Sequence, residues 1–448
     1  MIDMIERLQR QMSAVRDEIA VVTPRDSITF KEILDGINYW SDTLEVAGIR
    51  SGEVVMLKGG FSSVSISLLI ALLRRKSIVI LLAPTSYEKQ DEFTEVGQAQ
   101  WVIEADVGYI ERCGLEAEHP LYERLREDND PGLVLFSSGS TGVSKGTVHS
   151  ASRLLLKFTS TGKKLRTLAF LLFDHIAGVD TLFYSLFNQS ILVLPDVRTP
   201  AAVCKLIADH RVEVLPTAPS FLNLLLLSGA AANHDLSSLR IITYGSEMMP
   251  TATLERCAEI FPDVKLIQKY GTSEIGALPS RSKSNQSTWV KIGGDGFNWR
   301  VVDNKLEIRA KTAMLGYLNA PSPFTEDGYF KTGDEVEIDG DYIRFLGRDS
   351  DIINVGGQKV YPAEVENLIR AMPEIEDVSV YGETHAILGS AVVAKLRPTN
   401  PNASVKDLRV AIRNALMGTI EPYKIPQKVL VTQRILTSER GKQIRRSS

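Results

Sequence analysis

Segments that read as strands alternate with segments that read as helices through most of the 448 residues, and this alternation restricts the chain to an α/β fold. Glu53 to Lys58 (EVVMLK) reads as a strand, Val64 to Leu73 as a buried apolar helix, and Ser77 to Leu82 (SIVILL) as the next strand, which Pro84 breaks. Gly132 to Phe136, Thr167 to Phe173 and Ser190 to Leu194 read as further strands. At this length the chain can form two or three domains with substantial cores.

The pattern changes near Arg348. Pro362 at a helix start, with Glu364 and Glu366 behind it, suits the first turn of a helix, where the missing N–H is no loss and acids face the positive end of the dipole. Asp377 to Tyr381 and Ala391 to Leu396 read as two strands. Ser404 and Asp407 open a helix that Gly418 ends, and Gln427 to Val431 is a last strand. That makes a compact α+β unit of about a hundred residues, a size at which domains are independent. The expected division is 1–348 and 349–448.

Charge excludes some partners. A formal net charge of −4 offers no polyanion-binding surface, so nucleic acid is not an expected partner. Cys113, Cys204 and Cys257 are widely separated and form neither a CxxC pair nor a zinc pattern, as expected of reduced thiols in a cytoplasmic protein. The N-terminal Met1-Ile2-Asp3-Met4 is unlike a signal peptide, and apolar runs such as Leu222 to Leu227 are too short to span a bilayer, so no integral membrane association is expected.

The chemistry is concentrated in Leu135-Phe136-Ser137-Ser138-Gly139-Ser140-Thr141-Gly142-Val143-Ser144-Lys145-Gly146. A strand runs into a loop of glycines, hydroxyls and one lysine, which can bring N–H groups, O–H groups and an ammonium up to an anion without obstruction. Phosphate is the natural ligand. No Gly-Lys-Ser/Thr follows at Walker A spacing. A Gly/Ser-rich loop alone is more often a flexible turn, so other segments must carry the reading.

They do so in order. Tyr244-Gly245-Ser246-Glu247, Tyr270-Gly271-Thr272-Ser273-Glu274, Tyr329-Phe330-Lys331-Thr332-Gly333-Asp334, Gly347-Arg348-Asp349-Ser350-Asp351, Gly356-Gly357-Gln358-Lys359 and Gly441-Lys442 follow the loop. Together these segments resemble those of the adenylate-forming superfamily, which comprises acyl- and aryl-CoA ligases, peptide-synthetase adenylation domains and luciferases. The style is that of a small acyl-CoA or acyl-carrier-protein ligase, and the resemblance spans about residues 25 to 445. It implies a large N-terminal multi-sheet domain and a small mobile α+β domain. It also implies ATP and Mg²⁺ as cofactors and a carboxylic acid as substrate, with CoA or the phosphopantetheine of a carrier protein as acceptor.

Roles follow from the resemblance, segment by segment. Ser137, Ser138, Gly139, Ser140, Thr141, Gly142 and Lys145 would hold the β- and γ-phosphates, and Gly245, Ser246 and Glu247 would form the adenine pocket with Tyr270 and Gly271. Thr272 would contact the α-phosphate. Glu274 would hold magnesium, an ion that prefers oxygen ligands and bridges to substrate phosphates. Asp334 would accept the ribose hydroxyls, with Arg348 as second contact. Lys442 would be the catalytic lysine, a cation on the carboxylate and α-phosphate as charge redistributes. Taken singly, each of these residues would more often be a solvated surface charge or a turn residue.

The carboxylic acid site is read in two ways. In Phe173-Asp174-His175-Ile176-Ala177-Gly178, His175 matches a histidine that gates the carboxylate site in acyl-CoA ligases. Asp174 matches the acid that binds the substrate ammonium in amino-acid-activating domains, one residue away. Lys157, Lys163, Lys164 and Arg166 form a cationic stretch that could take the phosphates of CoA, although charge runs are usually solvated faces. Three departures stand out: Ser144 in place of the usual loop proline, Ser350 where a hinge Asp or Lys is expected, and a shortened segment before the phosphate loop. The expected reaction is acid plus ATP to acyl-AMP and pyrophosphate, then transfer to a thiol. The small domain would rotate between steps, exchanging Lys442 for the Gly356-Gly357 loop. A stand-alone amino-acid adenylation domain and a catalytically silent nucleotide-binding homologue are the alternatives.

Overall fold

The computed structural model describes residues 3–138, 144–160, 162–385, 387–434 and 436. Two seven-stranded sheets form the body. In one, the strands Val54–Lys58, Ile78–Leu82, Trp101–Glu104 and Gly132–Ser138 run parallel, and Ser144–Ser150 returns antiparallel to Gly132–Ser138. In the other, Lys265–Gln268, Ile241–Tyr244, Val214–Thr217, Arg166–Leu168, Ile191–Val193 and Ile19–Val22 lie side by side and parallel, with Ser27–Thr29 antiparallel at the edge.

The sequence explains the layering. Successive residues of a strand point to opposite faces, and a strand covered on both faces reads as an unbroken apolar run. Val55, Leu57, Val79, Leu81, Leu133 and Leu135 face one hydrophobic cluster, while Val54, Met56, Ile78, Ile80, Val134 and Phe136 face another. The first cluster also contains Ala20, Val21 and Leu192 of the second sheet, and between the sheets lie helices Met4–Ser13, Phe30–Val46, Ser63–Arg74 and Ile176–Phe187. Ser63–Arg74 is buried continuously from Ser65 to Leu73, as an apolar helix between two sheets must be. Ser62 caps it through a bond from Ser65 N–H, and Thr29 with Glu32 makes a reciprocal capping box on Phe30–Val46.

One expected strand is shorter than its apolar run. Of Thr167 to Phe173 only Thr167 and Leu168 belong to a strand, Arg166–Leu168, because the chain must turn into the helix at Ile176. The turn is tight: a Cβ on Gly178 would meet the carbonyl oxygen of Leu172 at 1.9 Å.

A six-stranded antiparallel sheet follows, ending in Phe330–Asp339 and Tyr342–Arg348, and its hydrophobic cluster runs from Tyr270 to Phe345. The next cluster begins at Ile353 and contains only later residues. Between them lies a single 3₁₀ turn, Asp349–Asp351, with Ser350 exposed at its centre. The last unit packs helices Pro362–Arg370 and Val405–Leu416 on a sheet of Ile353–Val355, Gln358–Val360, Ile375–His385, Gly389–Pro398 and Lys428–Val431. Ser404 caps the second helix and Gly418 follows it at φ +82°. Among the described residues, no helix is long and apolar enough to cross a membrane.

Candidate active site

The phosphate-loop segment begins at the end of one strand of a β-hairpin, Gly132–Ser138, and finishes at the start of the other, Ser144–Ser150. Ser137 pairs with Lys145 and Ser138 with Ser144, while Gly139, Ser140, Thr141 and Gly142 lie outside the described residues. The base of the hairpin is tied on three sides. Asn319 Oδ1 accepts from Gly146 N–H at 3.1 Å and its Nδ2 donates to Ser144 O at 2.8 Å. Ser144 N–H donates to Glu92 Oε1 at 3.0 Å, and the Ser144 hydroxyl accepts from Lys89 Nζ at 3.1 Å. These last two bonds explain the missing proline: a proline has no N–H to give Glu92 and no hydroxyl for Lys89.

Lys145 and Glu274 meet through a residue the sequence did not single out. The Lys145 ammonium lies 5.3 Å from the centre of the Tyr317 ring, within cation–π range. The Tyr317 hydroxyl donates to Glu274 Oε1 at 2.6 Å. Burial, reinforced by the Glu274 charge, raises the Tyr317 phenol well above its ordinary range, so it remains a donor. Tyr317 reaches this point because Gly316–Tyr317 adds to the edge of Ser144–Ser150.

The turn carrying Thr272 and Glu274 is fixed from below. Thr272 Oγ1 accepts from Glu274 N–H at 3.3 Å, and Met314 N–H donates to Glu274 O at 2.7 Å. His149, fully buried on the neighbouring strand, donates from Nε2 to Ser273 O at 2.7 Å. Burial pushes the His149 imidazole down to about 4, against smaller opposing effects from the Ser273 carbonyl and the Glu274 charge, so it is neutral near pH 7.

Asp334 is almost completely buried, and each oxygen holds a donor: Tyr270 O–H to Oδ2 at 2.6 Å and Arg348 Nε to Oδ1 at 2.8 Å. The Asp334 charge holds Arg348 above its ordinary range, and burial raises the Tyr270 phenol. Tyr270 stacks on Phe345 with ring centres 4.5 Å apart. Asp334, Arg348, Tyr270, Gly271, Ser246 and Glu247 line one cavity of about 140 Å³, whose far wall includes Asp351 and Tyr361. Glu247 is anchored there, since Oε2 accepts from Ser220 N–H in the first turn of helix Pro219–Ser228 at 3.1 Å.

A second cavity, about 260 Å³, adjoins it. Its floor is one face of three parallel strands, through Val214 and Pro216, Ile241 and Thr243, then Ile267 and Lys269. The alternate residues Leu215, Ile242 and Leu266 point the other way into a hydrophobic cluster. Helix Ile176–Phe187 forms the roof with Ala177, Asp180, Thr181 and Tyr184. Ser246, Lys269, Tyr270 and Gly271 line both cavities and are the passage between them, with Gly245 beside it on the side of the second. The backbone there is pressed close: a Cβ on Gly245 would meet Lys269 O at 2.6 Å, one on Gly271 would meet Gly276 O at 2.6 Å, and Ser246 sits at φ +69°.

The two readings of residues 174 and 175 separate here. His175 lines the second cavity while capping helix Ile176–Phe187, its Nδ1 accepting from Ala177 N–H at 3.2 Å. Asp174 is not in that wall; it is buried and its Oδ2 accepts from the Ser86 hydroxyl at 3.0 Å. The acid that does line the cavity is Asp180, which the sequence did not flag and which is paired with Lys157. Of the proposed cationic stretch, Lys157 is thus engaged, Lys164 pairs with Glu18, and Arg166 donates to His210 O at 3.1 Å. Gly356 and Gly357, at φ +57° and +84°, form the exposed turn joining Ile353–Val355 to Gln358–Val360 and line neither cavity. Lys442 lies outside the described residues.

Glu274 suits magnesium of one kind. No group of three His, Cys, Asp or Glu side chains that could hold a metal ion gathers among the described residues. A single carboxylate, held in place by Tyr317, is the donor set of an ion that also binds substrate phosphates and water.

With the geometry in hand, known proteins give a consistent match. The family model described as AMP-binding enzyme matches residues 8–330, and that described as AMP-binding enzyme C-terminal domain matches 364–442. A 2-succinylbenzoate–CoA ligase of Listeria monocytogenes is 26% identical, with 97% of each chain covered. Triostin synthetase I of Streptomyces triostinicus is 27% identical over 95% of this chain and 90% of its own. Among solved structures, an anthranilate CoA ligase in complex with anthranoyl-AMP superposes with a TM-score of 0.83 at 20% identity, covering 99% of this chain and 96% of that one. The o-succinylbenzoate coenzyme A synthetase of Bacillus subtilis in complex with ATP and magnesium ion gives 0.79 at 21%, covering 98% of each. At these identities the two structures share the fold with this chain.

Proposed function

The chain belongs to the AMP-binding, adenylate-forming enzyme family of AMP-forming acid–thiol ligases, and from that premise we propose that it activates a carboxylic acid as its acyl-AMP and passes the acyl group to the thiol of CoA. The observation that carries this reading is the pair of cavities joined at Ser246 and at Lys269, Tyr270 and Gly271. One has the polar wall of Asp334 and Arg348, and the other is largely apolar. ATP occupies the first with its ribose on Asp334, its α-phosphate near Thr272 and its outer phosphates on the Ser137–Lys145 hairpin. The acid enters the second, with its carboxylate in the passage.

The carboxylate attacks the α-phosphorus in line and pyrophosphate leaves. Side chains make no covalent bond in this step, so catalysis is positioning and charge stabilisation. Lys145 and the hairpin hold the departing phosphates, and Lys442, outside the described residues, has the role that the family segment Gly441-Lys442 implies, a cation for the carboxylate and α-phosphate. Magnesium on Glu274 supplies charge neutralisation to those phosphates when bound. The unit 349–448 then turns about Arg348–Asp351, and the Gly356–Gly357 turn presents a thin backbone to a pantetheine arm.

ATP–pyrophosphate exchange with Mg²⁺ and no thiol tests the first step over pools of aryl, fatty and amino acids. Exchange with an acid pool, followed by acyl-CoA when CoA is added, is the expected result. Exchange without acyl-CoA would move the acceptor to a carrier protein. Folded protein that binds ATP and exchanges with no acid would sink the reading. The CoA ligases among the relatives support CoA as acceptor. For the amino-acid alternative, Asp174 Oδ2 accepts from the Ser86 hydroxyl and Asp174 lines neither cavity, which favours the acid reading without an ammonium contact there.

A further inference from the structure

The second cavity has a direction, and one side chain stands at its far end. Its floor strands are parallel, so the passage at Ser246, Lys269, Tyr270 and Gly271 lies just past their C-terminal ends. Back along the strands, Thr243 is in register with Pro216 and Ile267, and before it Ile241 with Val214. Four residues separate Ile241 from Gly245, so at about 3.3 Å per residue the floor extends about 13 Å from the passage. Helix Ile176–Phe187 crosses from Arg166–Leu168 to the parallel strand Ile191–Val193, and so runs back over the floor in the opposite sense. Ala177 is therefore at the passage end of the roof, and Tyr184, two turns on, at the other. A separate contact agrees. The Tyr184 hydroxyl accepts from Lys163 N–H at 3.2 Å, just before the strand whose Thr167 is in register with Val214. The segment behind that hydroxyl is tied down. Asn188 Oδ1 accepts from Gly162 N–H, Ser190 Oγ accepts from Leu165 N–H at 3.2 Å, and a Cβ on Gly162 would meet the Tyr184 hydroxyl at 2.7 Å. Phe158 meets the Tyr184 ring edge-on, with centres 6.4 Å apart.

We propose that Tyr184 is the end stop of the acid cavity and restricts this chain to small acids, those with one ring or a short chain on the reacting carboxylate. The inference rests on the adenylation reading above and names the substrate class for it. With the carboxylate in the passage, the rest of the acid lies along the floor toward Val214 and Ile241, and its far end meets the Tyr184 ring. Volume agrees with length. An apolar cavity of about 150 Å³ accepts benzene, so about 260 Å³ admits a ring with a short arm but not a long fatty chain. The wall is fixed, since the hydroxyl bond and the Phe158 contact hold the ring in place. Behind it, residues 162–164 are exposed, so removing the ring would join the cavity to the surface and give a longer acid a way out.

The test is ATP–pyrophosphate exchange over two homologous series, straight-chain acids and para-alkyl benzoic acids, each lengthened one methylene at a time. In the parent, kcat/KM should break at one length in each series and fall by about tenfold or more per further methylene, the worth of a methylene in an apolar pocket. Tyr184→Ala should move the break to longer acids and raise the long-to-short ratio of kcat/KM by between about tenfold and a hundredfold, mainly through KM of the long acid. Tyr184→Leu, a milder change, should move the break the same way by less, and Tyr184→Phe, which keeps the ring, should leave it in place. Long-chain acids used by the parent as well as short ones would overturn the inference with no variant needed. A break that Tyr184→Ala and Tyr184→Leu leave where it was would also overturn it, as would a loss equal at every length, which is the mark of a merely structural role. Each of these results leaves adenylation standing. Exchange with no acid at all would instead overturn the adenylation reading, and this inference with it.

Discussion

Tyr317 stands between the lysine of the phosphate hairpin and the carboxylate suited to magnesium, with its ring toward one and its hydroxyl on the other. Tyr317→Phe keeps the ring and deletes the donor, so the Mg²⁺ concentration for half-maximal exchange should rise by about tenfold, the worth of one hydrogen bond to a charged group. An unchanged Mg²⁺ dependence would show that Glu274 needs no such support. Nothing in the sequence around Tyr317 announces this role, because its partner is 43 residues away. His149 and Lys269 were equally hidden: a histidine in a strand and a lysine at a strand end both read as ordinary. His149 makes a prediction about pH. Its folded pKa of about 4 lies below the ordinary value near 6.5, so the folded state withholds a proton that the unfolded chain takes up. The stability this contributes is complete above about pH 6.5 and is lost as pH falls toward 4, roughly 2 kcal/mol of it by pH 5. Urea unfolding at pH 7 and pH 5 should show that drop, and His149→Gln should remove this part of it. Equal pH dependence in both proteins would count against the assignment.

The β-hairpin of Gly132–Ser138 and Ser144–Ser150 shows how an element can depart from its family pattern and stay anchored. Glu92 and Lys89, from the segment after Pro84, take the N–H and hydroxyl of Ser144. Ser144→Pro would install the family's usual residue yet delete both bonds at a buried position. We expect it to lose about 2 kcal/mol, about 1 kcal/mol per bond, seen as a lower melting temperature with a raised KM for ATP. A melting temperature equal to or above that of the parent would show that the hairpin does not depend on these contacts. Elements were legible where a single period or a cap defined them. Glu53 to Lys58 and Ser77 to Leu82 are apolar on both faces because both faces are covered, and Ser404 and Gly418 bracket their helix as capping residues do. Thr167 to Phe173 was equally apolar but only its first part is strand, since the approach of Gly178 to Leu172, which ends it, comes from later in the chain.

At the scale of the whole molecule, the two units meet at a buried carboxylate. Glu335, nearly inaccessible on the strand Phe330–Asp339, is held by Lys359 and by the Tyr361 hydroxyl from beyond the 3₁₀ turn. Rotation about Arg348–Asp351 would have to release both contacts. If rotation separates the half-reactions, Lys442→Ala should abolish acyl-AMP formation while transfer from supplied acyl-AMP to CoA largely persists; equal failure of both steps in folded protein would refute alternation. Order along the chain made the fold and the nucleotide-side residues readable, since Tyr270, Asp334 and Arg348 all stand in recognisable segments and do converge. The second cavity was readable only at its rim, through His175, Gly245, Ser246, Tyr270 and Gly271; its floor is assembled from alternate residues of three strands and belongs to no such segment. That arrangement has an evolutionary consequence. Val214, Ile241, Thr243, Ile267 and Lys269 line the second cavity, whereas Leu215, Ile242 and Leu266 hold the sheet to its helices. Substrate choice and foldability are thus written on alternate letters of the same short words, and a lineage could respell one set without erasing the other.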